Sequence, residues 1–128
     1  MKIGFDYWQV LSHFEYHCKE FIDGMLAAGH EVVCISAVGK QREGTVEPAV
    51  RKLGFDIPVY EVLFKSPKES PQRKLDKCKE LGIEAFFDDR DDVCRLLNQN
   101  GIMAMRVTRL NNSTYDLDGD SDIANELE

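Results

Sequence analysis

Acidic and hydroxyl side chains follow three apolar segments that lie far apart in the sequence. Asp6 follows the segment KIGF, and Ser36 ends the segment EVVCIS. Asp88 and Asp89 end the segment IEAFFDD. Carboxylates that are held close together repel one another unless a cation offsets their charge. Oxygen ligands suit a hard divalent cation, and Mg²⁺ is the ion we expect. A fold that brings Asp6, Asp88 and Asp89 together therefore predicts a magnesium site.

The segments around these residues repeat one pattern four times. Apolar residues at helical spacing are followed by a glycine and then by a short apolar run; the glycines are Gly29, Gly54, Gly82 and Gly101. Glycine takes the left-handed conformation that commonly ends a helix. Continuous apolar strands are typical of a parallel sheet covered on both faces. With residues 2–5 as the first strand, the order predicts an α/β fold, a three-layer α/β/α sandwich around a five-stranded, mainly parallel, Rossmann-like sheet.

Such a sheet brings the carboxyl ends of its strands to one edge, where ligands bind. We expect Asp6, Ser36 and the Asp88-Asp89 pair to meet there. In the helices, we expect Ser70 to be the N-cap of the third helix, with Pro71 as its first residue. The buried face of the first helix is predicted to consist of Cys18, Phe21, Ile22, Met25 and Leu26.

Composition bounds the class of protein. With 128 residues, one domain over residues 1–110 is expected, followed by an acidic, flexible tail over 111–128. That tail carries six acids and no base, so it accounts for most of the net charge of −7. The four cysteines show no CxxC spacing and are expected to be reduced, buried thiols. The N-terminus has no apolar run of signal-peptide length, so we expect a cytoplasmic protein with no membrane segment.

Four motifs, in this order, resemble those of the haloacid dehalogenase superfamily, which is dominated by phosphatases. The first is IGFDYWQVL with Asp6, and the second is VCISA with Ser36. The third is a lysine, Lys74, in the segment RKLDKCKELGIEAFFDDR, and the fourth is AFFDDRDD. The stretch FFDDRDDVCRLLNQNGI most resembles the 3′-phosphatase domains of polynucleotide kinases and small nucleotidase-like members. The resemblance covers residues 2–108.

This resemblance implies a Mg²⁺-dependent phosphatase of phosphomonoesters. Asp6 would attack the phosphorus and become an aspartyl-phosphate. Ser36 and Lys74 would hold the phosphate oxygens, with Lys68 as the other candidate for the phosphate lysine. Mg²⁺ would be held by Asp6, the backbone carbonyl of Trp8, and Asp88 or Asp89. The implied partner is a phosphorylated small molecule or nucleotide, or a nucleic-acid end.

The first motif departs from the family pattern, because Trp8 replaces its second acid. That acid protonates the leaving group in phosphatases of the family, and an indole offers only a weakly acidic N–H donor. His13 or Glu15 could supply the missing acid in a slow or specialised enzyme. The alternative is a catalytically impaired relative that binds a phosphorylated ligand or a protein partner. A third option is carbon-centred chemistry, since dehalogenases of the superfamily carry an aromatic residue at this place.

The connections between the expected strands are short and leave no room for a cap domain. The site is therefore expected to be open to solvent, and a second subunit could act as its lid. Trp8 could then stack on a nucleobase at the mouth of the site, or it could pack as local core. Basic residues are frequent near the third helix, and they form either an anion-attracting patch or a solvated helix face. These residues are Lys65, Lys68, Arg73, Lys74, Lys77 and Lys79.

Overall fold

The computed structural model describes residues 1–108 of the chain. The predicted acidic tail, residues 111–128, lies outside the described residues. The strands are β1 (Lys2–Phe5), β2 (Glu31–Gly39), β3 (Val59–Phe64), β4 (Ala85–Asp88) and β5 (Met103–Arg106). The helices are α1 (Glu15–Ala27), α2 (Val46–Lys52), α3 (Ser70–Leu81) and α4 (Asp91–Gln99). None of these helices has the length and apolar character that crossing a bilayer requires.

The five strands form one sheet in the order β3-β2-β1-β4-β5, and every neighbouring pair is parallel. The expected α/β fold with a five-stranded parallel sheet is thus confirmed. From β1 the chain moves outward through β2 to β3, and then returns to the other side of β1 for β4 and β5. The order of the strands therefore reverses between β1 and β4. In open parallel sheets, this reversal leaves a crevice at the carboxyl ends of the two strands.

Helices cover both faces of the sheet, as the side chains of β2 show. Val32, Cys34 and Val38 belong to a core cluster with the buried residues of α1 and α2. Val33, Ile35 and Ala37 belong to a second cluster with those of α3 and α4. Successive residues of a strand point to opposite faces, so this alternation places α1 and α2 on one side and α3 and α4 on the other. A three-layer arrangement follows.

Glycine positions fit the backbone that they occupy. The four glycines after the helices all have positive φ angles, between 73° and 93°. Gly4 has a different role, because a Cβ atom built there would lie 2.5 Å from the ring of Phe86. Phe86 is fully buried in β4, next to β1. Gly4 therefore permits the close contact between the two strands that flank the crevice.

Three local expectations were wrong. Strand β2 continues three residues past Ser36 to Gly39, because it pairs with β3 along its whole carboxyl half. Helix α3 begins at Ser70, and its N-cap is Glu69. On α1, Phe21 and Leu26 are exposed, 54% and 44% respectively, whereas Cys18 and Ile22 are buried. Helical spacing alone made the apolar face of α1 too wide.

Candidate functional site

Asp6 lies at the centre of the crevice between β1 and β4. Its backbone is extended, and its N–H donates to the carbonyl of Phe87 at 2.9 Å, which continues the pairing of β1 with β4. The chain then turns back through Tyr7–Leu11, and Leu11 N–H donates to the Asp6 carbonyl at 3.4 Å. The side chain makes no helix-capping hydrogen bond. Asp6 is therefore held by sheet pairing, and capping does not explain its presence there.

Lys74 joins Asp6 to Asp88. Its Nζ lies 3.2 Å from Asp6 Oδ1 and 2.7 Å from Asp88 Oδ2. All three side chains are fully buried. Asp88 also accepts a hydrogen bond from the Arg90 N–H at 2.9 Å, which fixes its orientation at the end of β4. One ammonium thus contacts two buried carboxylates at the ends of two neighbouring strands.

The acidic group of Asp6, Asp88 and Asp89 fits a small hard cation. One carboxylate oxygen from each residue lies within 4.8 Å of the others, and Asp89 is 1% exposed. Mg²⁺ prefers oxygen ligands and is commonly held by one or two carboxylates. Asp6 comes from the end of β1 and the pair from the end of β4, so the spacing depends on the fold. The residues present are therefore suitable ligands for Mg²⁺.

Two buried hydroxyls near this group have no hydrogen-bond partner in the part of the chain that the structure describes. Ser36 is fully buried in β2. Because Phe5 of β1 pairs with Cys34 of β2, Ser36 lies one residue beyond the level of Asp6. Ser70 is fully buried one helical turn before Lys74, on the same face of α3. Neither Oγ has a hydrogen-bond partner within the described range 1–108. A buried hydroxyl without a partner costs about 1–3 kcal/mol, so both are suited to donate to a ligand oxygen.

Ser70 was expected only as a helix cap, and its place beside the lysine was missed. The signal was present in the sequence, because Ser70 and Lys74 are four residues apart in one helix. Lys68 lies in the short turn Pro67–Glu69 before α3 and is exposed. The contact with Asp6 is made by Lys74.

Trp8 links the end of β1 to the end of β2. Its ring is half-buried, meets Tyr7 edge to face at 4.8 Å, and carries the guanidinium of Arg42 at 5.2 Å from its centroid. Its Nε1 is buried and has no hydrogen-bond partner among residues 1–108. The next residue, Gln9, has φ 64°, a left-handed conformation that is strained for a side chain other than glycine. The structure thus places a strained turn with an unsatisfied N–H donor next to Asp6.

The site is closed, and the expectation of an open one was wrong. Asp6, Ser36, Lys74 and Asp88 are all 0% exposed. A site without a cap is open only if the chain after β1 leads away from Asp6. Here the turn Tyr7–Leu11 folds back to Asp6, and β2 extends beyond Ser36. A ligand that reaches Asp6 must therefore displace part of this covering.

The contacts of His13 and Glu15, the two candidates for the general acid, do not include the carboxylates of the site. His13 is exposed, and its Nδ1 is 3.0 Å from Ser12 Oγ. Glu15 is exposed in the first turn of α1. The described residues therefore show neither group in contact with Asp6.

The cysteines are unreactive by position. All four are free and buried, as expected. Burial raises the pKa of Cys78 and of Cys94 to about 12. Burial, and next the charge of Asp6, raise the pKa of the Cys34 thiol. These thiols therefore stay protonated at neutral pH and contribute no nucleophile.

Comparison with known proteins gives no family for this chain. No protein-family model and no curated protein matches its sequence. A function must therefore be inferred from the geometry of the site.

Proposed function

We propose that the protein is a capless, haloacid dehalogenase-like phosphatase that hydrolyses phosphomonoesters with Mg²⁺. The observation that supports this most strongly is the buried group of Asp6, Lys74 and Asp88 at the reversal of strand order, with Asp89 at metal-ligand spacing. A carboxylate held by strand ends, beside a lysine and an unsatisfied serine hydroxyl, is what phosphoryl transfer to a carboxylate needs.

Each residue has a defined part in this proposal. Asp6 is the nucleophile, and Lys74 and Ser36 bind the phosphate oxygens. Asp6, the backbone carbonyl of Trp8 and the Asp88-Asp89 pair would hold Mg²⁺. When bound, that ion would offset the charge of the phosphate and of the carboxylates. In phosphoryl transfer, positioning and charge stabilisation of this kind provide most of the catalysis.

The reaction would proceed in two balanced steps. A carboxylate oxygen of Asp6 attacks the phosphorus, the bond from phosphorus to the leaving oxygen breaks, and the leaving oxygen takes a proton from water. A second water then attacks the phosphorus of the aspartyl-phosphate and loses a proton to the hydroxide left by the first step, which regenerates the Asp6 carboxylate and releases inorganic phosphate. The net change is one ester and one water converted to one alcohol and one phosphate.

Trp8 determines which esters should react fastest. Its indole cannot protonate a leaving oxygen, and help from a general acid is worth about 10²–10⁴-fold. Esters whose leaving group is stable as an anion should therefore react much faster than alkyl esters. An aryl phosphate is the substrate with which activity is easiest to detect.

The test is turnover of p-nitrophenyl phosphate and of a 3′- and a 5′-nucleoside monophosphate at millimolar Mg²⁺. Asp6→Asn keeps the shape of the side chain and removes the nucleophile, so turnover should fall to background. The control is Asp23→Asn, because Asp23 is 58% exposed on α1 and pairs with Lys19 at 3.3 Å. Equal rates for wild type and Asp6→Asn, with urea unfolding showing that both are folded, would refute the proposal.

The second candidate function is binding of a phosphorylated ligand without turnover. The observation that favours it is Trp8, whose ring is covered by Arg42 at the place where the family has an acid. On this proposal, wild type binds p-nitrophenyl phosphate in the presence of Mg²⁺ but releases no phosphate. Trp8→Asp should then switch hydrolysis on. A variant that binds and still shows no turnover would mean that more than this one acid is missing.

A further inference from the structure

A basic groove lies beyond the candidate site on the same edge of the sheet. Its volume is about 450 Å³, and it is lined by Lys40, Glu43, Leu63, Phe64, Lys65 and Arg73. Lys40 follows the last residue of β2, and Lys65 follows the last residue of β3. The pairing of Gly39 with Phe64 brings these two ends together. The groove is therefore built by the rigid ends of two neighbouring strands.

The charge of the groove is positive. Lys40 and Lys65 are exposed, and neither forms an ion pair within residues 1–108. Arg73 contacts Glu69 at 3.5 Å, with both side chains substantially exposed, and such a pair contributes little and exchanges readily. Glu43 is the one acid in the lining of this groove. Glu69 also accepts a hydrogen bond from the Lys65 N–H at 3.3 Å, so a second acid lies at the edge of the groove. Three cations against these two acids leave one positive charge in excess, which favours an anionic ligand.

The turn Lys40–Arg42 lies between the groove and the candidate site. Lys40–Arg42 is a single short turn after β2, and Arg42 lies over the ring of Trp8. Ser36 in β2 lies just beyond the level of Asp6, and Lys40 is four residues further on. At about 3.3 Å per strand residue, this separation is about 13 Å. A ligand that displaces the covering of Asp6 and places a phosphate there could bring a second anionic group, on its leaving-group side, within reach of the long lysine side chains.

We infer that this groove binds a second phosphate of the substrate, so that the site selects esters whose leaving group itself carries phosphate. The inference rests on the proposed function for the position of the first phosphate. Two sources share this chemistry: a small bisphosphorylated metabolite and a single strand of nucleic acid with a terminal phosphate. The strand adds several phosphates at regular spacing, whereas the small molecule adds one.

The test compares two double variants of equal charge change. Lys40→Gln/Lys65→Gln removes the groove cations, and Lys52→Gln/Lys79→Gln removes two exposed lysines at the ends of α2 and α3. Binding is measured by calorimetry in the presence of a metal chelator, so that the proposed Mg²⁺-dependent reaction cannot consume the ligand. The ligands are adenosine monophosphate, adenosine 3′,5′-bisphosphate, and a six-nucleotide thymidine strand with a 3′-phosphate.

The groove variant should bind the bisphosphate or the strand about five- to twentyfold more weakly, since each exposed ion pair contributes up to about fivefold. Its affinity for the monophosphate should fall only about twofold. For the strand, the slope of log affinity against log salt should become shallower by about 1.4, since each phosphate that a lysine no longer neutralises reduces the slope by about 0.7. Weaker binding of the bisphosphate alone identifies the small molecule as the source, and weaker binding confined to the strand identifies nucleic acid.

Equally weakened binding in both double variants, or unchanged binding in both, would overturn the inference. Its failure is separable from that of the proposed function, because turnover is measured independently with p-nitrophenyl phosphate. Absence of turnover with selectively weaker binding in the groove variant refutes the phosphatase and keeps the groove. Turnover of p-nitrophenyl phosphate without selectively weaker binding in the groove variant supports the phosphatase and refutes the groove.

Discussion

Replacing Lys74 with methionine should destabilise the protein strongly. The Nζ lies 2.7 Å from Asp88 and 3.2 Å from Asp6, and all three side chains are fully buried. Removing one partner of a buried ion pair costs about 3–5 kcal/mol, because it leaves an uncompensated charge. Single domains have a free energy of unfolding of about 5–15 kcal/mol, so the loss is a large fraction of the total. Urea unfolding should show a midpoint lower by about 2 M, for a slope near 2 kcal/mol per molar.

The chain offers a matched control on the same helix. Lys77 Nζ lies 2.7 Å from Glu80, the same distance as in the buried pair, but Glu80 is 64% exposed. Lys77→Met should therefore cost less than about 1 kcal/mol. Mg²⁺ should stabilise Lys74→Met more than wild type, because the ammonium no longer competes for the carboxylates. Equal destabilisation of the two variants would refute the assignment of Lys74 as the buried counter-charge.

Three further predictions concern packing, protonation and the turn after β1. Gly4→Ala should destabilise the protein by about 1–3 kcal/mol, because its Cβ would meet the buried ring of Phe86. Gly24→Ala should instead stabilise it by about 0.5–1 kcal/mol, because a Cβ at this position in α1 meets nothing within 4 Å. Urea unfolding measures both changes, and changes of the same sign would contradict this prediction. Because the pKa of Cys78 is raised to about 12 in the folded protein, its thiol ionises in the unfolded chain first as pH rises above 9. The contribution of the buried Cys78 thiol to stability is therefore complete below pH 9 and is lost between pH 9 and 12. Between pH 9 and 11, the free energy of unfolding should therefore fall less steeply with pH in Cys78→Ala than in wild type, and the two slopes should differ by about 1.4 kcal/mol per pH unit. Parallel curves for the two proteins would contradict this prediction. Gln9→Gly should relieve the left-handed strain at φ 64° and raise the urea midpoint slightly, and a destabilisation above about 1 kcal/mol would show that the Gln9 side chain itself stabilises the turn.

The fold followed from signals that act locally. A glycine after each helix takes a positive φ because no Cβ opposes it, and the four glycines located the ends of the four helices. The alternation of helix with apolar strand then limited the sheet to a parallel one. The end of β2 was misplaced because Ser36 is polar, while its burial comes from pairing with β3, which is a contact between distant segments. Local sequence contains no signal for such a contact.

The candidate site was predictable in its acids and less so in its surroundings. Asp6, Asp88 and Asp89 were brought together by the rule that parallel strands end at one edge. That rule predicts at which edge of the sheet the side chains lie, but it does not predict how deeply they are buried. Closure depends on how the turn Tyr7–Leu11 folds back onto Asp6, and its strained residue Gln9 has no sequence signature. The groove lysine Lys40 was missed for a related reason, since its place depends on the true end of β2.

The most direct test of the proposed metal site is binding of Mn²⁺, as a paramagnetic substitute for Mg²⁺, followed by electron paramagnetic resonance. We expect one ion per chain at micromolar to millimolar Mn²⁺, displaced by excess Mg²⁺. Binding should be abolished in Asp6→Asn and in Asp88→Asn, and it should be kept in Asp23→Asn. Binding that persists equally in all three variants, or no bound ion at millimolar concentration, would contradict the claim that the ends of β1 and β4 jointly hold a divalent cation.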